Sequence, residues 1–251
     1  MAGMDAKTIA RLNQINREFY RITADDFDQT RGESWPGWER LLPYLRAPLS
    51  VVLDVGCGNG RFGVFLQENL VGAQSLAPLQ PMIVYHGVDS NTTLLRHAHA
   101  TLQDLRGMTV TLEIRDIVEN PPDAGEYDLV VLFGVMHHIP GYTERQIFIK
   151  KLANRVKPGG LLAFACWRFY EYPRFRERIV PWPEDITVEA GDYLLDWRLG
   201  TTALRYCHYV DDAEHAALVA AAGMTEILTY RADGKMGDAN RYSLLRKNEI
   251  K

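Results

Sequence analysis

Five short, largely apolar runs alternating with helical stretches restrict the fold of this chain more than any other feature. SVVLDV (Ser50–Val55), IVYHGVD (Ile83–Asp89), VTLEIRD (Val110–Asp116), YDLVVLFGV (Tyr127–Val135) and LLAFACW (Leu161–Trp167) read as strands. Between them, 61–70, 91–105 and 142–156 carry helical periodicity. Strands that are apolar on both faces must be covered on both, which predicts a parallel sheet between two helical layers. The crossovers should be right-handed.

The end of the chain follows another rule. A helix over Asp212–Ala222 should stop at Gly223, because glycine accepts the left-handed conformation of a helix C-terminus. MTEILTYR (Met224–Arg231) and NRYSLLRK (Asn240–Lys247) then flank GKMGDA, which is too short for a helical crossover. These two strands must pair antiparallel. Upstream, Ile9, Leu12, Ile15, Phe19 and Ile22 recur at spacings of three and four, predicting an amphipathic helix over Lys7–Ile22. FDQTRGESWPGW follows as a connection with Gly32, Pro36 and Gly37 as breakers, then a short helix around Glu39–Leu45. Val71–Met82 reads as an extra surface loop. The expected organisation is a single domain: a helical extension (1–48), a core (49–167), a substrate-side insertion (168–209) and the final helix and hairpin (210–251).

Composition excludes little. The net charge of −4 and 47% apolar content are those of an ordinary globular protein, without the basic surplus that marks many nucleic-acid binders. The three cysteines, Cys57, Cys166 and Cys207, lack CxxC spacing, so neither a disulfide framework nor a zinc site is expected. No apolar run has the length of a membrane span or the form of a signal peptide, and the expected location is cytoplasmic, with no membrane partner.

VLDVGCGNG places Asp54, Gly56, Gly58 and Gly60 at the end of the first strand. Glycines there let the backbone turn tightly and approach a ligand, and the next helix offers its N-terminus to it. A dinucleotide GxGxxG would need glycine at position 61, which is Arg61, and no lysine follows as in a P-loop. The DxGxGxG pattern, the acids closing strands two and three (Asp89, Asp116), KPGG (Lys157–Gly160) and the closing hairpin together resemble the class I S-adenosylmethionine-dependent methyltransferases. The resemblance implies a Rossmann-like α/β fold with a mostly parallel seven-stranded sheet. It also implies a cofactor, S-adenosylmethionine. Asp89 would bind its ribose hydroxyls, Asp116 with Ile117 its adenine, and Gly56 and Gly58 its methionine part. Asp54 would help to hold the amino group, with Cys57, Ser90 and Phe133 completing the site. A carboxylate is the natural acceptor for two ribose hydroxyls, and ligands of such sheets bind beyond the carboxyl ends of the strands.

The acceptor should meet the methyl group beyond strand four, at Val135-Met136-His137-His138-Ile139-Pro140. In an extended segment the two histidines would point to different sides, so no shared metal is expected. One would be structural and the other, His138, would face the acceptor. FDQTR followed by a tryptophan-proline pair, HHI, CW, VPW and RYCHYV resemble the tRNA methyltransferases that esterify 5-carboxymethyluridine at the wobble position. This resemblance implies a tRNA substrate surrounded by Arg31, His138, Arg205 and His208. It also implies a small zinc-containing activator as partner. An ionised carboxylate acceptor needs no base but needs a cation, so Arg31 or Arg205 would orient it. A hydroxyl or amine acceptor would need His138 as base. Trp35 and Trp182 are candidate platforms for an unstacked base, and Arg168, Arg174, Arg176 and Arg178 for phosphates. Two other readings stay open: a methyltransferase of small metabolites, and a non-catalytic partner protein of the same fold.

Overall fold

The computed structural model describes residues 3–29, 32–45, 51–71, 83–197 and 201–249. Its frame is a sheet of β1 (Val51–Val55), β2 (Ile83–Asp89), β3 (Met108–Ile114), β4 (Tyr127–Leu132) and β5 (Val156–Trp167), completed by a hairpin of β9 (Thr225–Ala232) and β10 (Asn240–Arg246). The spatial order is β3-β2-β1-β4-β5-β10-β9. The first five strands pair in parallel, and β10 lies antiparallel to both β5 and β9. Strand order reverses between β1 and β4, so a crevice opens at their carboxyl ends.

Each strand feeds both faces, as alternation requires. Val52 joins Tyr85, Leu129, Val131 and Ala163 on one face. Leu53 and Val55 join Val130, Leu132 and Leu162 on the other. The helices are α1 (Ala6–Gln29), α2 (Pro36–Glu39), α3 (Arg61–Leu66), α4 (Thr92–Leu102), α5 (Tyr142–Arg155), α6 (Pro173–Arg176) and α7 (Asp212–Ala222). Phe62, Phe65, Leu95 and Leu102 of α3 and α4 cover the first face, and Phe148, Ile149 and Leu218 of α5 and α7 the second. Asn91 caps α4 by accepting from the Leu94 amide at 2.9 Å, and Asp211 caps α7 by accepting from the Glu214 amide at 2.8 Å. Gly223, at φ 63°, ends α7 as expected.

Several boundaries differ from the sequence reading. Helix α1 continues seven residues past Ile22 to Gln29, because the chain meets no glycine or proline before Gly32. Proline at an N-terminal helical position starts both α2 and a 3-10 turn at Leu42–Tyr44, which replace the single helix expected over Glu39–Leu45. Helix α3 gives way at Gln67 to a π-helical turn (Gln67–Val71). β4 stops at Leu132, ahead of Gly134, whose φ of 75° cannot continue a strand. β5 starts at Val156 rather than Leu161. Residues 72–82 of the predicted surface loop lie outside the described residues.

The 168–209 insertion holds a second sheet that the sequence reading missed. β6 (Ile179–Val180), β7 (Asp192–Trp197) and β8 (Ala203–His208) pair antiparallel in that order. It packs beneath α1, where Leu12 meets Tyr206 and Phe19 meets Trp197 and Ala203. Among the described residues no helix is long and apolar enough to cross a membrane.

Candidate active site

A cavity of about 550 Å³ opens at the carboxyl ends of β1, β2 and β4, roofed by α1. Its cofactor end is built by the loop after β1. Gly56, Gly58 and Gly60 all have positive φ. A Cβ on Gly56 would lie 2.2 Å from Val135 Cγ2, whereas one on Gly58 would meet nothing within 4 Å. Gly56 is therefore bare to let the loop pass Val135 in the segment after β4, and Gly58 presents open backbone to the cavity. The amides of Gly56 and Cys57 donate to the Val88 carbonyl at 2.8 and 3.0 Å, fixing the loop against β2.

Three carboxylates line this end. Asp89 accepts from the amides of Gly58 (3.0 Å) and Asn91 (2.8 Å), which aims it at the cavity. Burial raises its pKa, partly offset by those amides. Asp54 is 3% exposed and accepts from the Tyr85 hydroxyl at 2.6 Å. Burial pushes its pKa up to about 7, against the pull of the tyrosine hydrogen bond. Asp116 closes an Asx turn on the Val118 amide at 3.0 Å and accepts from the Asn13 side-chain amide at 2.8 Å. Cys57, Ser90, Ile117 and Phe133 line the same cavity. Open backbone at Gly58, the Asp89 carboxylate for vicinal hydroxyls and the buried Asp54 carboxylate for an ammonium fit the parts of S-adenosylmethionine.

The acceptor end is walled by the 3-10 turn Met136–His138, Trp35, Trp167, Trp197 and Arg205. Because His137 and His138 share a tight turn rather than an extended segment, their rings lie 4.1 Å apart instead of on opposite sides. His138 is held on both nitrogens. Nδ1 lies 3.0 Å from the Tyr206 carbonyl and 3.1 Å from the Asn16 amide, and Nε2 lies 3.0 Å from the Tyr20 hydroxyl. A proton on Nδ1 is donated to the Tyr206 carbonyl and leaves Nε2 to accept from Tyr20, whereas in the other tautomer Nδ1 accepts from the Asn16 NH2 group and Nε2 donates to the Tyr20 hydroxyl. Burial, with the Arg205 charge nearby, drives the His138 pKa down to about 3, so the ring is neutral. Cys207 places its thiol beside both histidines, but burial pushes that thiol up to about 11 and keeps it protonated.

Arg205 is the notable cation. It is 8% exposed, yet among the described residues no carboxylate lies in ion-pairing range of it. Its guanidinium instead sits over Trp167 (4.7 Å), Phe19 (5.4 Å) and Trp197 (5.8 Å). Buried cations are ordinarily paired, so a guanidinium that meets aromatic rings and no carboxylate among the described residues keeps the capacity to pair with an anion.

The structure gathers most of the expected residues. Asp54, Gly56, Cys57, Gly58, Asp89, Ser90, Asp116, Ile117, Phe133, His138 and Arg205 line one cavity. His208 does not. It lies three residues beyond Arg205 on β8, hence on the opposite face, and its nitrogens meet Asp192 and Glu214, each at 2.7 Å. Arg31 falls outside the described residues. Trp35 lines the cavity over Gly134, but Trp182 packs on Tyr206 away from it. Arg174 and Arg178 stand at the cavity wall. Arg168 is committed to Glu171 and the Val210 carbonyl, and Arg176 to the Tyr170 carbonyl. The contribution of α1 was missed: Asn13, Asn16, Arg17 and Tyr20 all line the cavity. Its signal was two asparagines three apart beside an apolar stripe.

Residues 53–162 match the model of a methyltransferase domain. The tRNA (carboxymethyluridine(34)-5-O)-methyltransferase of Arabidopsis thaliana is 27% identical over 148 residues, 59% of this chain and 31% of that one. The chain thus spans less than a third of that relative's length. Trans-aconitate 2-methyltransferase of Azoarcus sp. is 25% identical over 234 residues, covering 76% of this chain and 85% of its own. The magnesium protoporphyrin IX methyltransferase of Synechocystis, solved with S-adenosylhomocysteine (SAH), superposes with a TM-score of 0.65 at 15% identity, over 94% of this chain and 99% of that one. Domain match, sheet order and cofactor cradle agree, and the chain is a class I S-adenosylmethionine-dependent methyltransferase that resembles the tRNA wobble carboxymethyluridine enzymes.

Proposed function

We propose that the acceptor is a carboxylate, and that it belongs to 5-carboxymethyluridine in the tRNA anticodon. The observation that carries the first part is Arg205, a buried guanidinium without a carboxylate partner among the described residues, at the acceptor end of the cavity. Bound S-adenosylmethionine supplies a methyl group on a sulfonium already activated for displacement. The chain then has three tasks: to hold the acceptor in line, to exclude water and to stabilise its charge. A carboxylate is ionised at neutral pH, so no general base is required. The site agrees with this, since His138 is neutral with both nitrogens engaged and is a poor base at a pKa of about 3. Arg205, whose place is described, takes the orienting role that Arg31 shared in the sequence reading. Its planar fork grips a carboxylate through two parallel hydrogen bonds. Phe19, Trp167 and Trp197 keep water from the pair and so strengthen it.

The tRNA part rests on relatives named for that reaction, with Trp35 as a stacking platform and Arg174 and Arg178 toward phosphates. The small zinc-containing activator belongs to the same proposal, and adding one should raise turnover. A second reading, a small carboxylic acid, is favoured by the Azoarcus relative, whose name specifies trans-aconitate. Both readings use Arg205. The test offers labelled cofactor with tRNA bearing 5-carboxymethyluridine and, separately, with a pool of small organic acids. Ribonuclease-sensitive label released by mild alkali supports the tRNA ester, and label confined to the acids supports the second reading. Transfer to neither refutes a carboxylate acceptor among these classes.

A further inference from the structure

Behind the acceptor wall lies a buried cluster of charges that does not line the cavity. Arg145 of α5 has no exposed surface. It donates to Glu214 of α7 at 2.5 Å, to Glu189 at 3.3 Å and to the Ile139 carbonyl at 3.0 Å. Glu214 also meets His208 Nε2 at 2.7 Å, and Asp192 of β7 meets Nδ1 at 2.7 Å. Asp192 accepts from the Tyr206 hydroxyl at 2.9 Å as well. Against the lowering effect of burial, the two carboxylates raise the pKa of the His208 imidazole between them, and against the raising effect of burial, His208 and Arg145 lower that of Glu214.

We propose that Arg145, Glu214, His208 and Asp192 form a positioning device that fixes Arg205 and His138 relative to each other. This rests on the reading of Arg205 as the acceptor's anchor. The geometry of β8 carries the argument. Tyr206 and His208 point to one face and Arg205 to the other, so pinning the first pair sets where the guanidinium stands. The Tyr206 backbone is held at both ends, its amide donating to Asn16 at 2.9 Å and its carbonyl lying 3.0 Å from His138. Arg145 grips the Ile139 carbonyl, directly after the histidine turn. One cluster therefore clamps both halves of the acceptor wall, which come from chain segments about seventy residues apart.

A buried ionic cluster is a poor source of net stability, because desolvation offsets most of the attraction. What it does supply is a unique arrangement, since displaced partners are left charged and unpaired. The device thus acts on acceptor alignment more than on folding.

The test uses Glu214→Gln, which retains shape while removing the carboxylate charge, and His208→Gln, which removes the imidazole that bridges Asp192 and Glu214. Two readouts are taken on the full chain. The first is the Arg205 Nε–H resonance in nitrogen-15-labelled protein, assigned by its loss in Arg205→Lys. It should shift in both variants, while the amides of Gly56 and Gly58 stay in place. The second is kinetic, with tRNA bearing 5-carboxymethyluridine as acceptor. KM for the tRNA should rise about tenfold while the cofactor Kd stays within about twofold. An unmoved Arg205 resonance in a folded variant overturns the device. So does a fall in cofactor affinity that matches the loss of acceptor affinity. If wild type does not methylate this tRNA, the reading of the substrate has failed, and the resonance still decides the positioning claim.

Discussion

Replacing Arg205 with methionine should separate function from stability. In the folded chain the guanidinium is 8% exposed and faces aromatic rings, without a carboxylate partner among the described residues. Desolvating it costs several kcal/mol. Three ring contacts return about 0.5–2 kcal/mol each. The two roughly cancel, and methionine keeps the packing with a flexible apolar chain. The unfolding midpoint should therefore stay within about 3 °C of wild type, or rise. Activity has no such compensation. A bidentate, charge-assisted grip in a dry site is worth about 3–4 kcal/mol, so kcat/KM should fall by about 10²–10³. Arg205→Lys keeps the charge but loses the fork, and should lie between. The assay pairs thermal unfolding with transfer of labelled methyl to tRNA bearing 5-carboxymethyluridine. An Arg205→Met variant that keeps most of its activity, or loses it only in proportion to a collapse in stability, would rule out Arg205 as the acceptor's anchor.

Other consequences are more local. Gly56→Ala sets a Cβ 2.2 Å from Val135 Cγ2 at φ 73°, and should lower stability by about 2 kcal/mol or more in urea unfolding. Gly58→Ala meets open space, so it should cost only about 1 kcal/mol of folding while weakening cofactor binding markedly by calorimetry. With the Asp54 carboxyl raised to about 7, acid protonates the group proposed to meet the cofactor's ammonium. Cofactor Kd should therefore be level above about pH 7 and rise toward tenfold per unit below it, a dependence that Asp54→Asn should abolish. Asn13→Ala removes the 2.8 Å contact from α1 to Asp116, and should weaken cofactor binding by about 1 kcal/mol without changing kcat.

The central sheet was legible because each strand carries its own signature. Ile83–Asp89 and Asp212–Ala222 have the boundaries that periodicity and caps predict. That Asp54, Asp89 and Asp116 line one cavity was legible for a related reason, since they lie at the carboxyl ends of strands that the fold brings together. The insertion was not. β6 has two residues and β7 and β8 six each, within a segment rich in aromatics that pack on both faces, so no period-two alternation stands out. Without a strand there, nothing separated Arg205 from His208, whereas strand parity sends them to opposite faces. The roof over the cavity was hidden similarly. The buried face of α1 includes Asn13 and Asn16, and polarity alone would assign both to solvent. Their burial follows from partners about one hundred to two hundred residues away, Asp116, His138 and the Tyr206 amide, which no local pattern reveals.

The most direct measurement is mass spectrometry of nucleosides from tRNA incubated with the protein and S-adenosylmethionine. 5-Carboxymethyluridine should be converted to a product heavier by one CH2, which mild alkali returns to the starting nucleoside. A heavier product that survives alkali would place the methyl group on another atom and contradict a carboxylate acceptor. Untouched 5-carboxymethyluridine alongside a methylated small acid would contradict the assignment to tRNA.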